Sequence, residues 1–313
     1  MQNINLFMSC NDAYAPHLCA ALTSALDNSN SEFRISILNQ NLSERSKQNI
    51  AKCAGSAAVD FVSVDVARFK GFDMKLEHLS IEACFRYLIA EIAEDMDKAV
   101  YLDCDVIVLG DLAKLSAEDI DGAYAAAVED YVRKSHVRAL GLKSYFNSGV
   151  LLLNLKKMRA DNMAKKLFEE TRRLADRAKY LDQDVLNAAF GGAVKFLPPK
   201  WNASAPLFRK KVDSMFAQRD LDEALYSPCA VHFTGPDKPW KIPCGATAHP
   251  YAPAYLHHLS RTPYAACVEK FKTAFNPRGN FAQYWARHPG FFLRPRYWQM
   301  RKIYEKNLAK FPY

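Results

Sequence analysis

The chain has 313 residues, half of them apolar, and a formal net charge of +8. Its apolar runs fall far short of the roughly 18–20 residues of a membrane-spanning helix, its first residues lack the basic and apolar stretches of a secretory leader, and its cysteines, at 10, 19, 53, 84, 104, 229, 244 and 267, form no C-x-x-C pair. These features argue against an integral helical membrane protein, a disulfide-framed secreted domain and a zinc ribbon. They predict a cytoplasmic protein with reduced thiols.

Asn3 to Ser9 reads as a strand, and Ala13 to Leu26 as a helix with Leu18, Leu22 and Ala25 on one face. Phe33 to Leu38 alternates as a strand does, Ser43 is placed to cap a helix, and Val59 to Val64 is a third strand. A helix over Ile81 to Asp95 precedes the strand Ala99 to Leu102, which ends in Asp103-Cys104-Asp105. Gly122 to Val128 and Ser148 to Leu153 read as buried strands. Asn162 to Lys179 reads as a charged amphipathic helix, and another opens at Leu181-Asp182-Gln183-Asp184 with its acids at the favourable end. A loop-rich stretch with prolines at 198, 199, 206, 228, 236, 239 and 243 follows. Strands alternating with helices predict an α/β fold with a mostly parallel sheet covered on both faces.

The charge is concentrated at one end. Residues 270–313 hold ten Lys or Arg against Glu305 alone, a net of +9, together with twelve aromatics that include Trp285, Phe291, Phe292, Tyr297 and Trp298. The rest of the chain is nearly neutral. A boundary is therefore expected near 265–275, dividing a catalytic unit over 1–268 from a small basic, aromatic region over 269–313. Interleaved basic and aromatic side chains suit the surface of an anionic membrane. A solvated helix with a packed aromatic face is the plain alternative, and nucleic acid is not the expected partner.

Two carboxylates one residue apart at a strand end repel each other and favour a bound cation. At the carboxyl edge of an open α/β sheet, where ligands bind, a hard divalent ion would bridge them to phosphates. Asp103 and Asp105 are read as such a metal-diphosphate site. Asp-x-Asp after a strand also occurs in phosphatases of the haloacid dehalogenase type, but there it follows the first strand.

Further segments share one order and spacing: Ser9-Cys10-Asn11-Asp12-Ala13-Tyr14, Phe85-Arg86-Tyr87, Phe146-Asn147-Ser148-Gly149-Val150, Leu181-Asp182-Gln183-Asp184, and His232-Phe233-Thr234-Gly235-Pro236-Asp237-Lys238-Pro239-Trp240. Together with the acidic pair, over about residues 3–260, they resemble the family 8 retaining glycosyltransferases, which include bacterial lipooligosaccharide α-galactosyltransferases and, more distantly, glycogenin. The resemblance implies a GT-A nucleotide-binding fold and a UDP-sugar donor bridged by Mn²⁺ or Mg²⁺. It implies Asp103, Asp105 and His232 as metal ligands. Ser9, Cys10, Asn11, Asp12 and Tyr14 would surround the uridine, with Tyr14 stacking on the base, and Cys104 would lie between the metal ligands. Arg86 would reach the phosphates or the sugar, Asn147 and Gln183 would bond the sugar with Asp182 beside them, and Gly235 and Lys238 would meet the leaving diphosphate. Asp130, past a strand end, is a candidate for the acceptor, and Trp240 would pack its loop.

The implied reaction is retaining transfer of galactose or glucose to a saccharide or glycolipid acceptor in lipopolysaccharide or lipooligosaccharide assembly, at the inner face of the cytoplasmic membrane. Front-side attack is favoured because Gln183 is a poor nucleophile, with double displacement through Asp182 or Asp184 left open. The rival readings are a phosphohydrolase with Asp103 as nucleophile and a non-enzymatic membrane-surface binder.

Overall fold

The computed structural model describes residues 3–69, 81–235, 238–241, 249–274 and 295–313. Its strands are β1 (Asn3–Ser9), β2 (Glu32–Asn39), β3 (Ala58–Ser63), β4 (Lys98–Leu102), β5 (Val106–Val108), β6 (Ala125–Glu129), β7 (Phe146–Asn154), β8 (Val194–Phe196), β9 (Ala203–Ser204) and β10 (Ala230–His232). The central sheet runs β3-β2-β1-β4-β7-β6-β8, and a small one runs β5-β10-β9. All neighbours in the central sheet are parallel except β7, which is antiparallel to both β4 and β6.

Alternate residues of the sheet feed two cores, as the period of two demands. Leu6, Met8, Val100, Leu102, Val150 and Leu152 pack on one face with the helix Ala15–Asp27, while Phe7, Tyr101, Leu151 and Leu153 face the other. Each fully buried Leu contributes roughly 1.5–3 kcal/mol over its exposed state. Helices on both faces agree with the α/β expectation. Ser43 caps its helix as expected, its hydroxyl accepting from the Ser46 amide at 3.3 Å.

The segment over 81–95 differs from the expected single helix. Ile81–Leu88 is a 3₁₀ helix, followed by a short α-helix, Ile89–Ile92. Three residues per turn place Ala83 and Arg86 one above the other, and Arg86 Nε donates to the Ala83 carbonyl at 2.8 Å. The charged helix is also shorter than expected, spanning Met163–Leu174.

A third core lies under the small sheet. Phe208, Val231, Phe233, Tyr251 and Leu256 meet Val268, Ile303 and Phe311 there. The helix Pro295–Lys310 is thus seated on the body of the protein, and Asn307 Nδ2 donates to the Pro250 carbonyl at 2.9 Å. Residues 275–294, with Trp285, Phe291 and Phe292, lie outside the described residues, as do Pro236, Asp237, Pro243 and Cys244. Among the described residues no helix is long and apolar enough to cross a membrane, and the described cysteines are free thiols.

Candidate active site

Central β4 ends where the chain turns into β5, and β5 pairs with β10 so that His232 lies opposite Val106. Asp103, Asp105 and His232 therefore converge although 129 positions separate the first from the last. Their ligand atoms all lie within 4.8 Å of one another. His232 Nε2 is 3.1 Å from Asp105 Oδ1 and 3.8 Å from Asp103 Oδ2. Gly149 on β7 closes one side; a Cβ there would stand 2.1 Å from His232 Cε1 and 2.8 Å from Asp103 Oδ2. Only a residue without a side chain admits both ligands. Two hard carboxylate oxygens and one imidazole nitrogen suit Mn²⁺ or Mg²⁺. Burial would raise the Asp105 carboxyl, but the Lys238 ammonium and His232 outweigh it and hold the group well below the usual carboxylate range. Lys238 pairs with Asp105 and donates to the Phe233 carbonyl at 2.6 Å.

Arg86 is 3% exposed and braces the acidic loop from behind. Nη2 donates to Asp103 Oδ1 at 2.7 Å, Nη1 to the Ser148 carbonyl at 2.6 Å, and Nε lies 3.4 Å from Asp182 Oδ2. The guanidinium also sits 4.2 Å from the Tyr101 ring centre, and Tyr101 donates to the same Asp103 oxygen at 3.1 Å. The arginine expected at the phosphates or sugar thus holds two carboxylates in place. Burial pushes the Asp182 carboxyl up to about 6 although Arg86 opposes the shift.

Asn147 and Gln183, both expected at the sugar, meet through Asp130, the acceptor candidate. Asp130 Oδ2 accepts from Asn147 Nδ2 at 3.1 Å and from Gln183 Nε2 at 2.9 Å. Gln183 Oε1 accepts from the Ser148 amide at 3.1 Å. Asn147 Oδ1 is taken by the Gly149 amide, Asn202 Nδ2 and His232 Nδ1, at 3.0, 2.8 and 3.0 Å. The Asn147 oxygen is therefore occupied by protein partners, while its NH₂ gives one of its two hydrogens to Asp130. Asp184 is fully buried and accepts from His136, Tyr145 and the amides of Lys179 and Tyr180. It clamps a turn in which Leu181 has φ +39°, a costly conformation for a branched side chain.

The profile of the glycosyl transferase family 8 matches residues 5–243. The chain belongs to this family. General stress protein A of Bacillus subtilis (strain 168) is 28% identical over 287 residues, 87% of this chain and 96% of its own. Lipopolysaccharide 1,3-galactosyltransferase of Salmonella typhimurium is 31% identical over 195 residues, 59% of this chain and 56% of its own. The crystal structure of galactosyltransferase LgtC with donor and acceptor sugar analogs superposes with a TM-score of 0.74 at 28% identity, covering 83% of this chain and 96% of that one. The GT-A-like fold, the membership and glycosyl transfer as the activity all agree with the sequence reading. The phosphohydrolase and the non-enzymatic readings end here.

In this family 8 glycosyltransferase the expected nucleoside loop is built differently from the acidic end. Asn11 Oδ1 accepts from the Tyr14 amide at 3.2 Å. Asp12 is exposed, and its Oδ1 accepts from the Ser43 amide and hydroxyl at 3.1 and 2.9 Å. Cys10 and Cys104 are buried in the first core, and Cys104 Sγ lies 3.1 Å from the Ser9 carbonyl. Tyr14 stands edge-on to Trp240, at 6.5 Å, and Trp240 stacks on His17 at 3.6 Å. Trp240 thus ties its loop to the helix after Tyr14, with Gly235 at φ +78° turning the chain between. The sequence reading missed Asn202 and His17. Asn202 sits in Lys200-Trp201-Asn202, where no spacing marks it; only the pairing of β9 with β10 brings it to His232.

Proposed function

We propose that this glycosyltransferase moves galactose or glucose from a UDP-sugar to a saccharide acceptor with retention of the α configuration, in lipopolysaccharide or lipooligosaccharide assembly, using Mn²⁺ or Mg²⁺ held by Asp103, Asp105 and His232. The convergence of these three ligands around Gly149 carries the reading. The similarity to LgtC and to the lipopolysaccharide galactosyltransferase supports the choice of donor and acceptor.

A bound divalent ion would offset the charge that develops on the leaving diphosphate. Lys238, which pairs with Asp105 beside that position, would supply a second positive charge to the leaving diphosphate. Gln183 presents a neutral amide whose two ends are fixed by Asp130 and Ser148. Asp182 is paired with Arg86, and Asp184 is spent on four donors. Neither carboxylate is free as a nucleophile, which supports front-side attack, with a diphosphate oxygen taking the acceptor's proton. On this reading the nucleoside lies along Ser9 to Tyr14.

Attachment to the inner face of the cytoplasmic membrane belongs to the same proposal. On the C-terminal helix Trp298 is 55% and Leu308 43% exposed, beside Lys302, Lys306 and Lys310. Because Ile303 and Phe311 complete the third core, the membrane role is tested by Trp298→Ala and not by removing the region. That variant should bind anionic vesicles more weakly than wild type with unchanged transfer to a soluble acceptor; equal vesicle binding would remove the anchor from the proposal. The transfer reaction is tested by incubating the full chain with UDP-galactose or UDP-glucose, a saccharide acceptor and Mn²⁺, and reading the product's anomeric proton by NMR. An α-linked product that disappears with EDTA is expected. A β-linked product, or undiminished transfer in EDTA, would contradict the proposal.

A further inference from the structure

Leu207, Leu221 and Leu225 of the third core line a cavity of about 470 Å³ between the helices Ala205–Arg209, Gln218–Tyr226 and Pro295–Lys310. Lys210, Lys211 and Arg296 border it. Cavities of this size hold small molecules. We propose that it seats one anionic phospholipid, the phosphate held by the three cations and the root of an acyl chain laid on the three leucines. This site rests on the membrane-attachment reading of the C-terminal helix, to which it adds a specific partner.

The cations lack a countercharge. Arg296 is half-buried, and its Nη1 donates to Gln299 Oε1 at 2.8 Å and its Nη2 to the Leu207 carbonyl, both neutral acceptors. Each nitrogen keeps a second hydrogen. Burial pulls the guanidinium below its usual range, with Tyr226 and Asp222 opposing the shift. Asp222 itself accepts from Gln218 Nε2 at 2.9 Å. The neighbouring acids are taken by other cations: Asp213 pairs with Lys134 at 2.5 Å, Asp220 with Arg219 at 3.4 Å and Glu223 with Lys200 at 2.9 Å. Among the described residues Lys210 and Lys211 have no acidic partner. A half-buried guanidinium between neutral acceptors is stabilised by an anion, and phosphate matches its fork. A free phosphate would leave the leucines bare, whereas an acyl chain covers them. Two aromatic side chains mark the lipid side: Trp298 on the same helix is 55% exposed, and Tyr226, 47% exposed, accepts at its hydroxyl from Gln299. Such rings suit a lipid–water boundary. The helix Ala205–Arg209 continues directly from β9, whose Ser204 pairs with His232. A lipid held here therefore sets the candidate metal site at a fixed attitude to the membrane.

The test uses single lipid molecules, which separates a pocket from a charged surface. Dihexanoyl phosphatidate, kept monomeric, is titrated into the full chain by calorimetry and should bind one to one. Dihexanoyl phosphatidylcholine, with the same chains and no net charge, and inorganic phosphate, with no chains, should each bind at least about tenfold more weakly. Arg296→Gln keeps a donor for the Leu207 carbonyl and should weaken phosphatidate binding by about tenfold or more. Lys306→Gln removes an equal charge from the same helix outside the cavity and should change it by less than about threefold. Gln218→Trp fills the cavity from an exposed position without altering charge. It should abolish the one-to-one binding and leave transfer to a soluble acceptor unchanged. Equal losses in Arg296→Gln and Lys306→Gln, or undiminished binding in Gln218→Trp, would overturn the pocket. Inorganic phosphate bound as tightly as phosphatidate would overturn its assignment to a lipid. If Arg296→Gln fails to fold, Gln218→Trp decides between the same outcomes. Anionic vesicles held equally by wild type and Gln218→Trp, with no phosphatidate bound, overturn the pocket alone. A wild-type protein that binds neither vesicles nor phosphatidate overturns the attachment reading as well.

Discussion

The two ends of the candidate site are built on opposite plans. At the acidic end Arg86, Asn147, Asp182, Gln183 and His232 are buried and held by bonds within the protein, so each side chain is oriented before any ligand arrives. At the nucleoside end Asp12 is exposed and its partner, Ser43, is the cap of the next helix. Substitutions should therefore have steep effects at one end and shallow effects at the other. On the proposed function, preorganisation lies where charge would develop in the reaction, and adaptability where a base would be held.

The largest contrast is expected from Asp105→Asn. It should lower transfer by roughly 10²–10³-fold with the fold retained, measured by steady-state kinetics and far-ultraviolet circular dichroism; a loss below tenfold would put the acidic end on the shallow plan. Arg86→Ala comes next. It leaves Asp103 and Asp182 without their buried cation and should cost roughly 3–5 kcal/mol in urea unfolding. A change within 1 kcal/mol, on the order of a surface substitution, would show that the acidic end is not braced from behind.

A smaller effect is expected from pH. The Asp182 carboxyl is raised to about 6 in the folded protein, chiefly by burial. The folded state thus binds its proton more tightly than the unfolded one. That contribution is fully present below the ordinary aspartate range and is lost as pH rises to about 6, roughly 3 kcal/mol in all. Asp182→Asn should flatten the decline of stability over this window, and a profile of unchanged shape would place the carboxyl in a wetter setting. The smallest effect is assigned to Asp12→Ala, which should raise the donor KM less than about tenfold, near 1.4 kcal/mol, with kcat unchanged. A collapse of kcat would move Asp12 into the preorganised group.

Much of this division was legible in the residues and some was not. β1 begins and ends where its apolar run does, and Ser43 caps as its position suggests. The acidic pair stands out because two carboxylates at a strand end need a reason. The direction of β7 is invisible, since an apolar run buried on both faces reads the same both ways. The 3₁₀ turn over Ile81–Leu88 escaped because eight amphipathic residues fit three or 3.6 per turn alike, and Arg86's bonds decide between them. β5, β9 and β10, two or three residues each, carry no periodicity, yet they bring His232 and Asn202 to the site. Asp130 looked like an open strand-end acid; its bonds to Asn147 and Gln183 come from one strand and one helix later in the chain.

The central claim is that the acidic end binds nucleotide through a divalent cation. Calorimetric titration of UDP into the full chain, with Mn²⁺ and with EDTA, tests it most directly. UDP should bind in Mn²⁺, and its affinity should fall at least tenfold in EDTA and equally in Asp105→Asn with Mn²⁺ present. Equal affinity under all three conditions would contradict the account.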